Sequence, residues 1–118
     1  MTEDDLKKRT KAFALRVIKL VQNLPNTALA RHIGGQLIRC STSVPANYRA
    51  ACRSRSTADF VAKMGIVEEE ADESVFWIEM LVDTELMKIE KVADLLNEGN
   101  QLVAIFVSSI NTARRKTR

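Results

Sequence analysis

The stretch Gln36–Asp59, QLIRCSTSVPANYRAACRSRSTAD, decides how this chain is read. Leu37, Cys40, Val44, Tyr48 and Ala51 recur every three or four positions, the repeat of one face of an α-helix. Pro45 stands inside that repeat. It has no N–H and presses on the carbonyl of Ser41, so a kink is expected beside Ser41, Thr42 and Ser43, whose hydroxyls can take up freed backbone groups. The other reading of Pro45 is a break between two shorter helices. Farther on, Ser56 and Asp59 ahead of Phe60 and Val61 form a capping-box pattern that starts the next helix. The stretch carries Arg39, Arg49, Arg53 and Arg55 and no acid before Asp59.

Working outward, Leu29 and Ile33 extend the apolar line back to Thr27, a suitable N-cap, so a helix is predicted over 27–53. Gly34 and Gly35 would each cost about 1 kcal/mol against alanine in a helix interior, which predicts close approach of a neighbouring helix. Pro25 and Asn26 separate this helix from a first one over 4–23. Its seam is Leu6, Thr10, Phe13, Val17, Leu20 and Leu24, widened by Ala14, Ile18 and Val21, and Glu3, Asp4 and Asp5 suit the positive end of its dipole.

Downstream, a third helix over 57–84 carries Phe60, Met64, Val67, Ala71, Val75, Ile78 and Val82, with a second apolar patch at Phe76, Trp77, Met80 and Leu81. A fourth over 89–114 carries Val92, Leu95, Leu96, Gly99, Leu102, Val103, Phe106, Ile110 and Ala113. Four long helices with short links predict one all-α domain over 1–118, an antiparallel up-down-up-down four-helix bundle. Four glycines and two prolines are too few turn-formers for a many-stranded β fold.

The start, MTEDDLKKRTK, lacks the apolar core of a signal peptide, and no apolar run nears the roughly 20 residues that span a bilayer, so the cytoplasm is the expected compartment and no membrane partner is expected. Cys40 and Cys52 fall about 18 Å apart along one helix, too far for a mutual disulfide, and are read as reduced.

The net charge of +3 hides a segregation. From Leu6 to Ala58 there are eleven basic residues and no acid; from Asp59 to Glu98 there are twelve acids against Lys63, Lys88 and Lys91. The tail is basic again at Arg114, Arg115, Lys116 and Arg118. Such asymmetry suits either a polyanion-facing surface or basic and acidic faces that meet between helices or subunits.

Catalytic materials are scarce. A di-metal carboxylate site in a bundle needs Glu-x-x-His on two helices, and the only histidine, His32, has no acid three residues before it. The run Glu68, Glu69, Glu70, Asp72, Glu73 therefore reads as a solvated or interface-facing side. No phosphate-binding glycine loop, CxxC or HExxH occurs, and His32 is about 12 Å and 30 Å along the helix from Cys40 and Cys52, too far for a nucleophile pair. A non-enzymatic protein with no metal and no cofactor is expected.

What remains is the basic set. Arg49, Arg53 and Arg55, the cluster Lys7, Lys8 and Lys11, and the tail Arg114, Arg115 and Lys116 all fall at one end of an antiparallel bundle and can converge on phosphates. Cations at helix C-termini also simply satisfy carbonyls and the dipole. Tyr48 is the one aromatic nearby, which disfavours base-stacking recognition of a single strand.

The run Gln36-Leu37-x-Arg39-x-Ser41-x-Ser43-Val44-Pro45-Ala46-Asn47, followed by Arg53, Ser56 and Asp59-Phe60, resembles the bacterial four-helix bundle family named for proteins encoded in intervening sequences of the large-subunit (23S) ribosomal RNA. Gln36, Ser43, Pro45, Asn47 and Asp59 are the motif positions. In that family the asparagine is commonly followed by an acid and glycine, whereas Tyr48, Arg49, Ala50 and Ala51 stand here. The resemblance implies a ring-like homo-oligomer, typically a pentamer. It also implies kinship with accessory proteins of diversity-generating retroelements, which bind nucleic acid and a reverse transcriptase; most members have no assigned molecular function.

The reading is then a self-associating bundle that holds RNA or DNA on a basic surface as a scaffold for a partner protein, with Arg39, Arg49, Arg53 and Arg55 as first contacts. Arg39 has a second reading as an ion-pair partner of the third helix. The alternative function is a pure protein-interaction module whose basic second helix pairs with the acidic third.

Overall fold

A computed structural model describes residues 1–116 of the chain; Arg118, counted with the basic tail, lies outside them. Four helices follow one another: α1 (Glu3–Gln22), α2 (Ala28–Cys52), α3 (Thr57–Asp83) and α4 (Ile89–Lys116). Each packs on the next and α1 closes against α4, giving an antiparallel bundle about 50 Å long and 20 Å across. The start of α1, the end of α2, the start of α3 and the end of α4 lie at one end.

Local chemistry fixes the ends. Thr2 caps α1 in a complete capping box: its hydroxyl accepts from the Asp5 N–H at 3.0 Å, and the Asp5 carboxylate accepts from the Thr2 N–H at 3.0 Å. Thr27 and Ser56 cap α2 and α3 in the same way, accepting from the Ala30 and Asp59 N–H groups at 3.1 Å. At Ser56 only this half of the expected box forms. The Asp59 carboxylate instead receives Lys63 Nζ at 3.0 Å, and that bond holds it below the usual carboxylate range.

Asp5 is likewise lowered, chiefly by the Thr2 N–H. Because both carboxyls are depressed in the folded chain, their contribution is present above the unfolded carboxylate pKa and is lost as pH falls through the folded one. The melting temperature is therefore expected to decline below about pH 4. In D5N/D59N the decline should be shallower, which thermal melts followed by circular dichroism across pH would check.

The core is a continuous column built from all four helices. Phe13 and Val17 of α1, Ile33, Leu37 and Val44 of α2, Met64, Val67 and Ile78 of α3, and Val92, Leu102 and Phe106 of α4 are buried within it. Four residues depart from the expected lines. Leu29 is 48% exposed, because Ala30 takes the inward place in the first turn of α2. On α3, Leu81 and Ser74 face inward, and Val82 is only half-buried. Gly34 is where α1 comes close: a Cβ there would lie 2.8 Å from Val21 Cγ1. At Gly35 a Cβ would meet nothing within 4 Å, so only one of the two glycines is required by packing.

Pro45 interrupts nothing, and α2 runs unbroken through it. The helix is stitched on either side. Thr42 Oγ1 donates to the Ile38 carbonyl at 2.6 Å, and Asn47 Nδ2 donates to both the carbonyl and the hydroxyl of Ser43, at 2.8 and 3.0 Å, spanning the proline. Ser41 Oγ is buried with no hydrogen-bond partner among the described residues, and the bonds of Thr42 and Asn47 go to the carbonyls of Ile38 and Ser43, not to the Ser41 carbonyl that Pro45 frees. Pro45→Ala restores an N–H facing the Ser41 carbonyl. It is expected to raise unfolding stability by about 2 kcal/mol, net of the greater freedom of the unfolded chain, in urea titrations.

Candidate nucleic-acid interface

The bundle divides by charge into two hairpins. Past the acidic first turn of α1, α1 and α2 carry cations and no acid, whereas α3 and the first half of α4 carry most of the acids, so the seams between the hairpins bring opposite charges together. Both seams are closed by arginine. Across α1 and α4, Arg9 Nε and Nη2 donate to the two carboxylate oxygens of Glu98, each at 2.7 Å, and Nη2 also donates to Gln101 Oε1. This bidentate pair holds the Arg9 guanidinium firmly in its charged form. Across α2 and α3, Arg39 donates to Glu73 at 2.6 Å and to Glu70 at 3.3 Å, and Gln36 Oε1 accepts from Arg39 Nε at 3.3 Å.

The structure therefore separates the basic residues that the sequence grouped. Arg39 belongs to the α2–α3 seam. Its charge is engaged by two glutamates of the same chain, and it does not line the α1–α2 groove. The motif residues serve structure as well: Gln36 supports Arg39, Ser43 and Asn47 span Pro45, and Asp59 sits in the first turn of α3.

Lys7, Lys8 and Lys11 of α1 and Arg49 of α2 do come together. They line a groove of about 420 Å³ between the two helices, whose remaining surface is Thr42, Pro45 and Ala46. No acid lines it. Lys7 is held by Glu3 at 3.4 Å, while Lys8, Lys11 and Arg49 have no carboxylate within ion-pair distance among the described residues. Thr42, Pro45 and Ala46 were not legible as groove residues, although proline inside a basic helix marks a place where the backbone is accessible from outside.

The other basic residues sit at the same end but not in this groove. Arg53 is the C-cap of α2 and is exposed. Arg55 and Lys116 share a concavity of about 430 Å³ with Glu3, which offsets their charge. Arg114 and Arg115 are exposed on the last turn of α4, Arg115 Nη2 donating to Thr112 Oγ1 at 3.3 Å.

Neither cysteine offers a reactive thiolate. Burial pushes the Cys40 thiol up, where it accepts from Ser74 Oγ at 3.2 Å, and burial likewise raises Cys52 beside Tyr48. Among the described residues no three His, Cys, Asp or Glu side chains gather in a way that could hold a metal. No helix among them is long and apolar enough to cross a membrane.

The pattern of 23S rRNA-intervening sequence proteins matches residues 3–108, nearly the whole bundle. The chain belongs to that family. A crystal structure of a protein of unknown function from the S23 ribosomal protein family of Bacteroides thetaiotaomicron is similar throughout, with a TM-score of 0.86 and 31% identity over 94% of this chain and 99% of that one. No curated protein matches the chain. For this member of the intervening-sequence family, then, the shared part is the four-helix bundle itself, and the α1–α2 groove is formed by two helices inside the matched region.

Proposed function

We propose that this intervening-sequence family protein is a non-enzymatic nucleic-acid-binding scaffold that holds the phosphate backbone of RNA in the α1–α2 groove. One observation carries the reading: Lys7, Lys8, Lys11 and Arg49 line a single concavity with no acid in its walls. Cations in such a place act on phosphates without reading bases, and the groove offers no aromatic ring for stacking. Arg53, Arg114 and Arg115 at the same end extend the field around it.

The rival reading, a basic α2 that exists to pair with acidic α3, accounts for Arg39 with Glu70 and Glu73. It leaves the α1–α2 groove without a role. Self-association belongs to the proposal too. The bundle leaves Leu15, Ile38, Ile66 and Phe76 exposed, apolar surface that neighbouring copies would cover, in a ring such as the pentamer the family resemblance implies. A reverse transcriptase would be the protein held beside the nucleic acid on that scaffold.

The test is binding of purified protein, freed of carried-over nucleic acid, to a fluorescent structured RNA across a salt series. A steep linear fall of log affinity with log salt supports the proposal. Absence of binding even at low salt overturns it.

A further inference from the structure

A further concavity lies at the other end of the bundle, on the α1–α4 seam. These two helices meet more sparsely than the other neighbouring pairs. Where α1 ends and α4 begins they leave a cavity of about 600 Å³, within the range of small-molecule sites. Its apolar wall is Leu20, Leu86, Met87 and Leu95, and Arg16, Lys19 and Lys91 stand around it.

The α3–α4 turn is built to present part of that wall. Glu85 adopts a left-handed backbone, φ 62°, and the N–H groups of Leu86 and Met87 both return to the Leu81 carbonyl at 3.0 Å. The chain reverses there, and Leu86 and Met87 come to line the cavity. None of the three cations has a carboxylate within ion-pair distance among the described residues, and no acid lines the site. Three like charges around a low-dielectric wall focus a positive potential on the space between them.

The two halves of the lining select together. An inorganic anion would leave the leucines wet, and a neutral hydrocarbon would gain nothing from the cations. We propose that this cavity binds a small organic anion with an aliphatic body, a medium-chain carboxylate. Its head would meet Arg16, Lys19 and Lys91 and its chain would cover Leu20, Leu86, Met87 and Leu95. The site shares no residue with the α1–α2 groove and does not depend on the nucleic-acid reading.

The probe is decanoate, titrated into the full chain and followed by methyl NMR. Saturable shifts are expected at Leu20, Leu86, Met87 and Leu95. R16Q/K19Q/K91Q should weaken binding about tenfold or more with helical content unchanged, and decanol should bind wild type at least about tenfold less tightly. R16Q alone provides a milder variant should the triple one fold poorly, with a loss of about threefold expected. K7Q/K8Q/K11Q/R49Q should bind decanoate as wild type does, which keeps the two sites separable. Equal affinity for decanol, undiminished affinity in both R16Q and the triple variant, shifts mapping elsewhere, or no saturation by millimolar decanoate would each overturn the assignment.

Discussion

K7Q/K8Q/K11Q/R49Q is expected to lose most of the affinity of this protein for structured RNA and nearly all of its salt dependence. The four side chains line one groove, and three of them have no carboxylate partner among the described residues. If each neutralises one phosphate, log affinity falls with log salt at a slope of about −0.9 per contact. Four contacts then cost about two orders of magnitude in affinity between roughly 50 and 200 mM salt, and the variant should show an almost flat dependence. Arg39→Gln is the matching control. Its guanidinium is taken up by Glu70 and Glu73, so RNA affinity should stay within about twofold of wild type while the α2–α3 seam loosens slightly. Fluorescence anisotropy with one RNA across salt reads both variants. If the quadruple variant binds as wild type does while its assembly shrinks in sedimentation, the basic set serves subunit pairing and the nucleic-acid reading fails.

The division of labour between those arginines and lysines shows where sequence reading stops. The helices and their buried lines were legible because they follow from local period: Phe13, Leu37, Met64 and Phe106 each fall on an apolar repeat and each is buried. Leu29 and Val82 were misplaced because, near helix ends, the inward direction depends on how neighbouring helices cross and not on period alone. Gly34 and Gly35 look identical in sequence, and only the approach of Val21 tells them apart. The segregation of charge was legible as composition. For Arg39 the sequence left two readings open, a phosphate contact and an ion pair with the third helix, and the register of α2 on α3 brings it to Glu70 and Glu73. The cavity bounded by Arg16, Lys19 and Lys91 was invisible, its walls coming from α1, α4 and the α3–α4 turn.

Phe106→Ala is expected to remove about 4 kcal/mol of unfolding stability, a large share of the roughly 5 to 15 kcal/mol that holds a domain of this size. Phe106 is fully buried, and its ring centroid lies 6.3 Å from that of Tyr48, so a residue of α4 reaches across the bundle to α2. α2 and α4 are diagonal neighbours whose backbones do not meet, and side chains of this length are what fill the space between them. Alanine would leave a void that Tyr48, Leu102 and Ile110 cannot close without moving whole helices. Phe106→Leu keeps most of the volume and should cost about 1.5 kcal/mol. Urea unfolding followed by the far-ultraviolet signal measures both. The same variants also test whether the groove is a surface property. Arg49 follows Tyr48 on α2 and points outward, so below its melting transition Phe106→Ala should keep the wild-type salt slope for RNA, whereas K7Q/K8Q/K11Q/R49Q loses the slope and keeps the stability. A Phe106→Ala protein that remained folded yet lost the slope would mean that the groove is shaped by the core as much as by its charges.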